Sequence, residues 1–173
     1  MIGMFWWVVI PDLDLNKWNV SKVKNMSHMF SDGYARVNIS KWNVSNVEDM
    51  SEMFGSLDTE SVTSFTGDIS QWNVSKVKNM EGMFAGNRDF AGDISKWNVS
   101  KVKNMRKMFF YAESFNCDLS KWNISKVTDM DSMFCGAESF DCDLSKWQIN
   151  KSCTCEDMFY ECSISNKNKP KLP

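Results

Sequence analysis

The chain has 173 residues, a formal net charge of −2 and 43% hydrophobic residues. That is enough for one domain with its own core, and it excludes both a globally basic nucleic-acid binder and a polar disordered chain. No apolar run reaches the roughly 18 residues that a membrane-spanning helix needs. The composition is skewed, with 8 Trp, 13 Met and 12 Phe against 3 Pro and 3 Tyr, and a repeated motif is the simplest cause.

Residues 1–11 open the chain with the apolar run Phe5-Trp-Trp-Val-Val-Ile10. The run lacks a basic leader and a small-residue cleavage site, so it does not read as a signal peptide. It is expected to cap the first coil of a repeat array, because stacked repeats expose a core cross-section at each end.

Residues 12–164 hold about six repeats, marked by Trp18, Trp42, Trp72, Trp97, Trp122 and Trp147 at spacings of 24, 30, 25, 25 and 25. The long interval carries five extra residues between Gly55 and Ser64. Each Trp sits in the phrase Asp-Ile-Ser-Lys-Trp-Asn-Val-Ser-Lys-Val-Lys-Asn-Met-x-x-Met-Phe or a close variant. Ile or Leu recurs three before it, as in Ile94 and Leu119, and Val or Ile two after it, as in Val99 and Ile124. The spacing Ile-x-x-Trp-x-Val predicts a short parallel strand around each Trp, with Trp and Val inward and their neighbours outward. The spacing of Met-x-x-Met-Phe predicts one short helical turn. No single repeat closes a core, but stacked copies do. A buried Trp contributes roughly 4–6 kcal/mol of transfer energy.

Polar columns accompany the apolar ones. Asp93 and Asp118 stand four before their Trp and Asn104 and Asp129 seven after, placed to bond backbone groups at the bends. A calcium ladder along the Asp column would bring Gly-rich turns, which are absent, so no metal is expected. The outward neighbours of Trp form the candidate partner-binding face: Lys17, Asn19, Lys41, Asn43, Gln71, Asn73, Lys96, Asn98, Lys121, Asn123, Lys146 and Gln148. A second lysine set, from Lys22 and Lys24 to Lys126 and Lys151, follows on the next bend. The bland alternative for these rows is a solvated sheet kept from edge pairing by lysine. The nearby Asp column argues against nucleic acid as the partner and leaves another protein or a glycan.

All six cysteines fall between Cys117 and Cys162. Cys117 and Cys142 both lie five before a Trp and should stack within disulfide reach, which makes them the candidate disulfide beside the alternative of free thiols. Residues 165–173 form a basic tail expected to be extended or mobile.

The phrase Asp-Ile-Ser-Lys-Trp-Asn-Val-Ser-Lys-Val-Lys-Asn-Met, then Met-Phe, then Ala112-Glu-Ser-Phe115, resembles the BspA-like leucine-rich repeats. More narrowly it is similar to the Trp-containing 25-residue repeats of mycoplasma surface lipoproteins, found also in protists and large DNA viruses. The resemblance implies a right-handed, leucine-rich-repeat-like solenoid that displays a surface for adhesion or protein binding, with no catalytic residues and no cofactor. The lipid-anchoring Cys of bacterial lipoproteins is absent here, so a virion or an intracellular setting stays open beside the cell surface, as does a role as a structural part of a larger assembly such as a minor capsid component.

The residues independently disfavour an enzyme. The single His28 falls on a variable position, and no phosphate loop, nucleophile elbow or metal-spaced His pair appears.

Overall fold

A computed structural model describes residues 1–58 and 63–173. The chain winds so that each repeat lies against the next in parallel register. Bridges join Asn25 to Asp49, Asp49 to Asn79, Asn79 to Asn104, Asn104 to Asp129 and Asp129 to Thr154. Part of the expected insertion between Gly55 and Ser64, residues 59–62, lies outside the described residues.

Among the described residues there are two short strands. β1 (Ile10–Asp14) pairs in parallel with β2 (Ala35–Asn38), Leu13 opposite Val37 and Asp14 opposite Asn38. Both lie upstream of their Trp. Around each Trp the expected strand is replaced by two tight turns. The Trp42 N–H closes the first on the Ile39 carbonyl at 3.0 Å, and the Val47 N–H closes the second on Val44 at 2.9 Å. Both turns recur in the repeats of Trp72, Trp97 and Trp122. The sequence spacing survives because a turn, like a strand, can send Ile, Trp and Val to one side.

The Met-Phe corner is likewise not helical. The Met83 N–H bonds Met80, Ala85 bonds Gly82 and Asn87 bonds Phe84, giving three successive turns. The residue ten after each Trp has positive φ: His28 (54°), Glu52 (49°), Gly82 (56°), Lys107 (53°), Ser132 (54°) and Asp157 (51°). A right-handed helix requires negative φ throughout, so this residue excludes the helical turn. Only one of the six is glycine, which is why the turn left no mark in the sequence.

This zigzag frees alternate N–H groups to point at the next coil. Met105, Lys107, Phe109 and Tyr111 donate to the carbonyls of Asp129, Asp131, Met133 and Cys135 at 2.8–2.9 Å. The same pattern links Met80, Gly82, Phe84 and Gly86 to the coil after them.

Inside the coils the apolar columns stack. Phe5, Phe30, Phe54, Phe84, Phe109, Phe134 and Phe159 form one file with ring centroids 5.4–5.7 Å apart. A second file, Phe65, Phe90, Phe115 and Phe140, packs on it at 3.9–4.2 Å. The Trp column is buried from Trp42 to Trp147, whereas Trp18 at its head is 38% exposed.

Residues 1–11 are not a separate cap. The Met1 ammonium and the N–H groups of Gly3, Phe5 and Trp7 donate to Asn25, Ser27, Met29 and Ser31. Gly3 and Trp7 have positive φ (58° and 60°). Met1-Ile-Gly-Met-Phe5 is therefore a further copy of the Met-x-x-Met-Phe corner, the second half of a coil, and it leads into β1 without a boundary at residue 11. The tail lies against the last coil. A short 3₁₀ turn covers Asn166–Asn168, the Asn168 amide donates to Asp141 at 3.0 Å, and the Leu144 N–H bonds the Asn168 carbonyl.

Candidate functional site

The residues expected to face outward beside each Trp do so. Lys17, Lys41, Gln71, Lys96, Lys121 and Lys146 are exposed, as are Asn19, Asn43, Asn73, Asn98, Asn123 and Gln148. Each lysine occupies the third position of the Ile-Ser-Lys-Trp turn, which projects its side chain away from the core.

The asparagine row is half committed to the fold. The Asn98 Oδ1 accepts the Ser100 N–H at 3.2 Å and the Ser100 hydroxyl at 2.7 Å. Asn19, Asn43, Asn73 and Asn123 accept the N–H of Ser21, Ser45, Ser75 and Ser125 in the same way. Only the amide NH₂ edge of this row remains available to a partner. Gln148 departs from the pattern and turns its amide toward the Lys146 carbonyl.

The lysines beside Trp are not isolated charges. In the same turn Asp93, Asp118 and Asp143 bond the Ser two residues on. Those serine bonds hold the three carboxyls below their ordinary range, with Lys96, Lys121 and Lys146 adding a smaller attraction. An acid therefore accompanies each lysine of this row from Lys96 onward.

The second lysine set is different. Lys22, Lys24, Lys76, Lys78, Lys101, Lys103, Lys126 and Lys151 are all exposed on the bend after Trp. Lys78 pairs with Glu48 at 2.5 Å and Lys76 donates to the Asn46 side chain at 2.6 Å. Lys101, Lys103, Lys126 and Lys151 have no ion pair among the described residues. A basic strip thus runs along the C-terminal half of this bend, on a chain that is net acidic.

Cys117 and Cys142 stack one coil apart but do not pair. The Cys117 sulfur accepts the Ile94 N–H at 3.4 Å and the Cys142 sulfur accepts Leu119 at 3.2 Å. Each thiol faces the coil before it rather than its neighbouring thiol. Where Leu15 and Leu144 donate to a carbonyl of the next coil, Ile94 and Leu119 donate to sulfur. Burial raises the Cys117 thiol to about 11 and Cys153 to about 12. The Cys153 and Cys155 sulfurs lie 3.9 Å apart.

One cleft was not anticipated. Trp6, Trp7, His28, Asp32, Glu52, Ser56 and Asp58 line a space of about 510 Å³. The Trp6 indole donates to Asp32 at 2.7 Å, and His28 Nδ1 lies 3.7 Å from Glu52. Burial raises the Glu52 carboxyl above its ordinary value, with the neighbouring His28 opposing. In the sequence these aromatics belong to an apolar run that suggested core cover. Trp6 and Trp7 are instead 60% and 72% exposed, on the outer side of the first half-coil.

Compared with known proteins, residues 1–59 and 58–171 match the model of a family described as "Mycoplasma protein of unknown function, DUF285". No curated protein and no solved structure matches the chain.

Proposed function

Starting from a chain that belongs to this mycoplasma-type repeat family, we propose that it is a non-enzymatic binding module that presents one lysine-rich side of its array to an acidic partner protein. In this reading the array is a right-handed, leucine-rich-repeat-like solenoid of the BspA-like kind, and it works at a surface where adhesion is needed.

The observation that carries the reading is the strip formed by Lys101, Lys103, Lys126 and Lys151, which are exposed and make no ion pair among the described residues. Neighbouring coils in such a stack advance by about 4.8 Å. The strip therefore offers closely spaced charges along one line, the arrangement that steers and registers an extended acidic surface. The row beside Trp is the weaker platform, because Asp93, Asp118 and Asp143 accompany its lysines.

The test is affinity capture from native material with the 173-residue chain, run beside two charge-reversed baits. One bait carries Glu at Lys101, Lys103 and Lys126, the other at Lys96, Lys121 and Lys146. Loss of one acidic partner with the first bait and its retention with the second supports the reading, as does release of that partner by moderate salt. Equal capture by all three baits overturns it.

A further inference from the structure

The cleft beside Trp6 and Trp7 has no part in the reading above. Its walls come from three successive coils: Trp6 and Trp7 from the first, His28 and Asp32 from the next, and Glu52, Ser56 and Asp58 from the third. A space walled in this way opens from the side of the array and not along its axis, so it does not depend on what stacks on either end.

Both indoles are fixed by the fold. The Trp7 N–H donates to the Ser31 carbonyl at 3.1 Å, and the Trp6 indole N–H donates to Asp32 Oδ2 at 2.7 Å. Trp7 has φ of 60°, where a bulky residue is a genuine outlier. Its counterparts in later coils include Gly86 and Gly136, which take positive φ at no steric cost. The turn itself has no use for an indole at this position, whereas the cleft gains an aromatic wall from it.

Three carboxylates, Asp32, Glu52 and Asp58, face one imidazole, His28, around this space. Their acceptor oxygens are already engaged. Asp32 Oδ2 takes the Ser31 hydroxyl at 2.6 Å besides the Trp6 indole. Glu52 Oε2 takes the Leu57 N–H at 3.3 Å and lies 3.7 Å from His28 Nδ1. Burial raises the Glu52 carboxyl, with His28 opposing and with Glu81 and Asp32 adding to the rise.

The cleft thus sets negative charge beside aromatic faces while protein donors occupy its oxygens. A metal ion needs oxygen ligands and a primary ammonium needs acceptors. A quaternary ammonium needs neither, and the face of tryptophan attracts it. We propose that this cleft binds a small quaternary ammonium ion of the size of choline, its methyl groups against Trp6 and Trp7 and its charge opposite Asp32, Glu52 and Asp58. The space of about 510 Å³ holds such an ion with water beside it. The site lies on the Met-Phe corner, apart from the lysine strip, and stands or falls separately from it.

The indole N–H signals of the isotope-labelled 173-residue chain, titrated with choline chloride against matched sodium chloride, test this. Trp6→Phe and Trp7→Gly identify two of the eight signals. Those two should shift and saturate with a dissociation constant of about 1 mM, while the buried Trp42, Trp72, Trp97, Trp122 and Trp147 stay in place. The neutral carbon isostere of choline (dimethylbutanol) and the primary amine ethanolamine should each bind about tenfold more weakly. Trp7→Gly suits the positive φ, so it keeps the parent's circular dichroism spectrum, and it should weaken choline about tenfold as read from the Trp6 signal. Glu52→Gln keeps an acceptor for Leu57 and removes one charge, and should weaken choline about threefold. No saturable shift at about fifty times the expected constant overturns the proposal. So does equal affinity for choline and either control, or choline binding that Trp7→Gly leaves unchanged.

Discussion

The Trp97 indole N–H donates to the carbonyl of Ile69, 3.2 Å away in the preceding coil, and that carbonyl also takes the Trp72 N–H at 3.1 Å. One oxygen thus closes the turn of its own coil and anchors the Trp of the next. The link recurs from Trp42 on Leu15 to Trp147 on Leu119. It explains why this column is Trp, since Phe would fill much of the space and supply no donor.

Two substitutions separate the packing from the hydrogen bond. Trp97→Ala should cost about 3–5 kcal/mol by opening a cavity between coils. Trp97→Phe keeps most of the apolar contact and leaves the Ile69 carbonyl its bond from Trp72, so it should cost about 1–2 kcal/mol. Urea denaturation followed by circular dichroism gives both values. Equal losses for the two variants would mean that the indole N–H, not burial, dominates.

Much of this arrangement is legible in the residues. The period, the inward Trp, Val, Met and Phe columns and the outward lysines follow from counting, because coils in register must place like on like. The conformation of each coil is not legible in the same way. The spacings of Ile-x-x-Trp-x-Val and Met-x-x-Met-Phe fit strand and helix as well as they fit turns, and periodicity reports which residues share a side, not the φ angles between them. The positive-φ position is occupied by His28, Glu52, Lys107, Ser132 and Asp157, none of which announces a turn. The first half-coil was missed because Met1-Ile-Gly-Met-Phe5 lacks a Trp to count from. At the candidate site, sequence located the lysines but not which row is accompanied by acids, since that depends on which bend each Asp shares.

The positive φ at the Met-Phe corner makes glycine informative there. Ser132 has φ of 54°, where an L side chain is strained, and it makes no side-chain hydrogen bond among the described residues. Ser132→Gly should therefore stabilise the chain by about 0.5–1 kcal/mol, the relief of strain exceeding the added freedom of the unfolded chain. Gly82→Ala should do the reverse by about 1–2 kcal/mol, because at φ of 56° its Cβ would also approach Leu57 Cδ2 at 2.9 Å. Thermal melts of the two variants check this. Destabilisation by Ser132→Gly would count against the turn geometry.

Stability should fall in acid through the Asp column. Serine bonds hold Asp68, Asp93, Asp118 and Asp143 below the ordinary carboxylate value. A carboxyl lowered in the folded chain adds stability above its unfolded pKa and loses that stability as pH falls through its folded value. Glu52 has the opposite sign: raised by burial, it favours the fold below its unfolded value and weakens it as pH rises through its folded value. Asp118→Asn keeps the acceptor for Ser120 but cannot titrate. Melts between about pH 3 and pH 7, a range set by carboxylate titration, should show a shallower acid decline for this variant, and Glu52→Gln should remove a small loss that sets in as pH rises above the ordinary Glu value. An unchanged acid slope in Asp118→Asn would detach that carboxylate from the fold's stability.

The thiols should be slow to react and slow to pair. Burial holds Cys117 at about 11 and Cys153 at about 12, so little of either is thiolate near neutrality, and thiolate is the reactive form. The sulfurs of Cys117 and Cys142 also accept the N–H groups of Ile94 and Leu119, and a bond between them would have to give those contacts up. Intact mass spectrometry after exposure to air should still count six free thiols. Iodoacetamide near pH 8, below the free-thiol pKa of about 8.5, should label Cys117 and Cys153 much more slowly in the folded chain than in urea. Cys117→Ser keeps an acceptor for Ile94 and should fold with little loss, whereas Cys117→Ala should cost about 1 kcal/mol more by leaving that N–H unpaired. Rapid formation of a Cys117–Cys142 disulfide in air would show that the thiol-to-backbone bonds are too weak to direct these side chains.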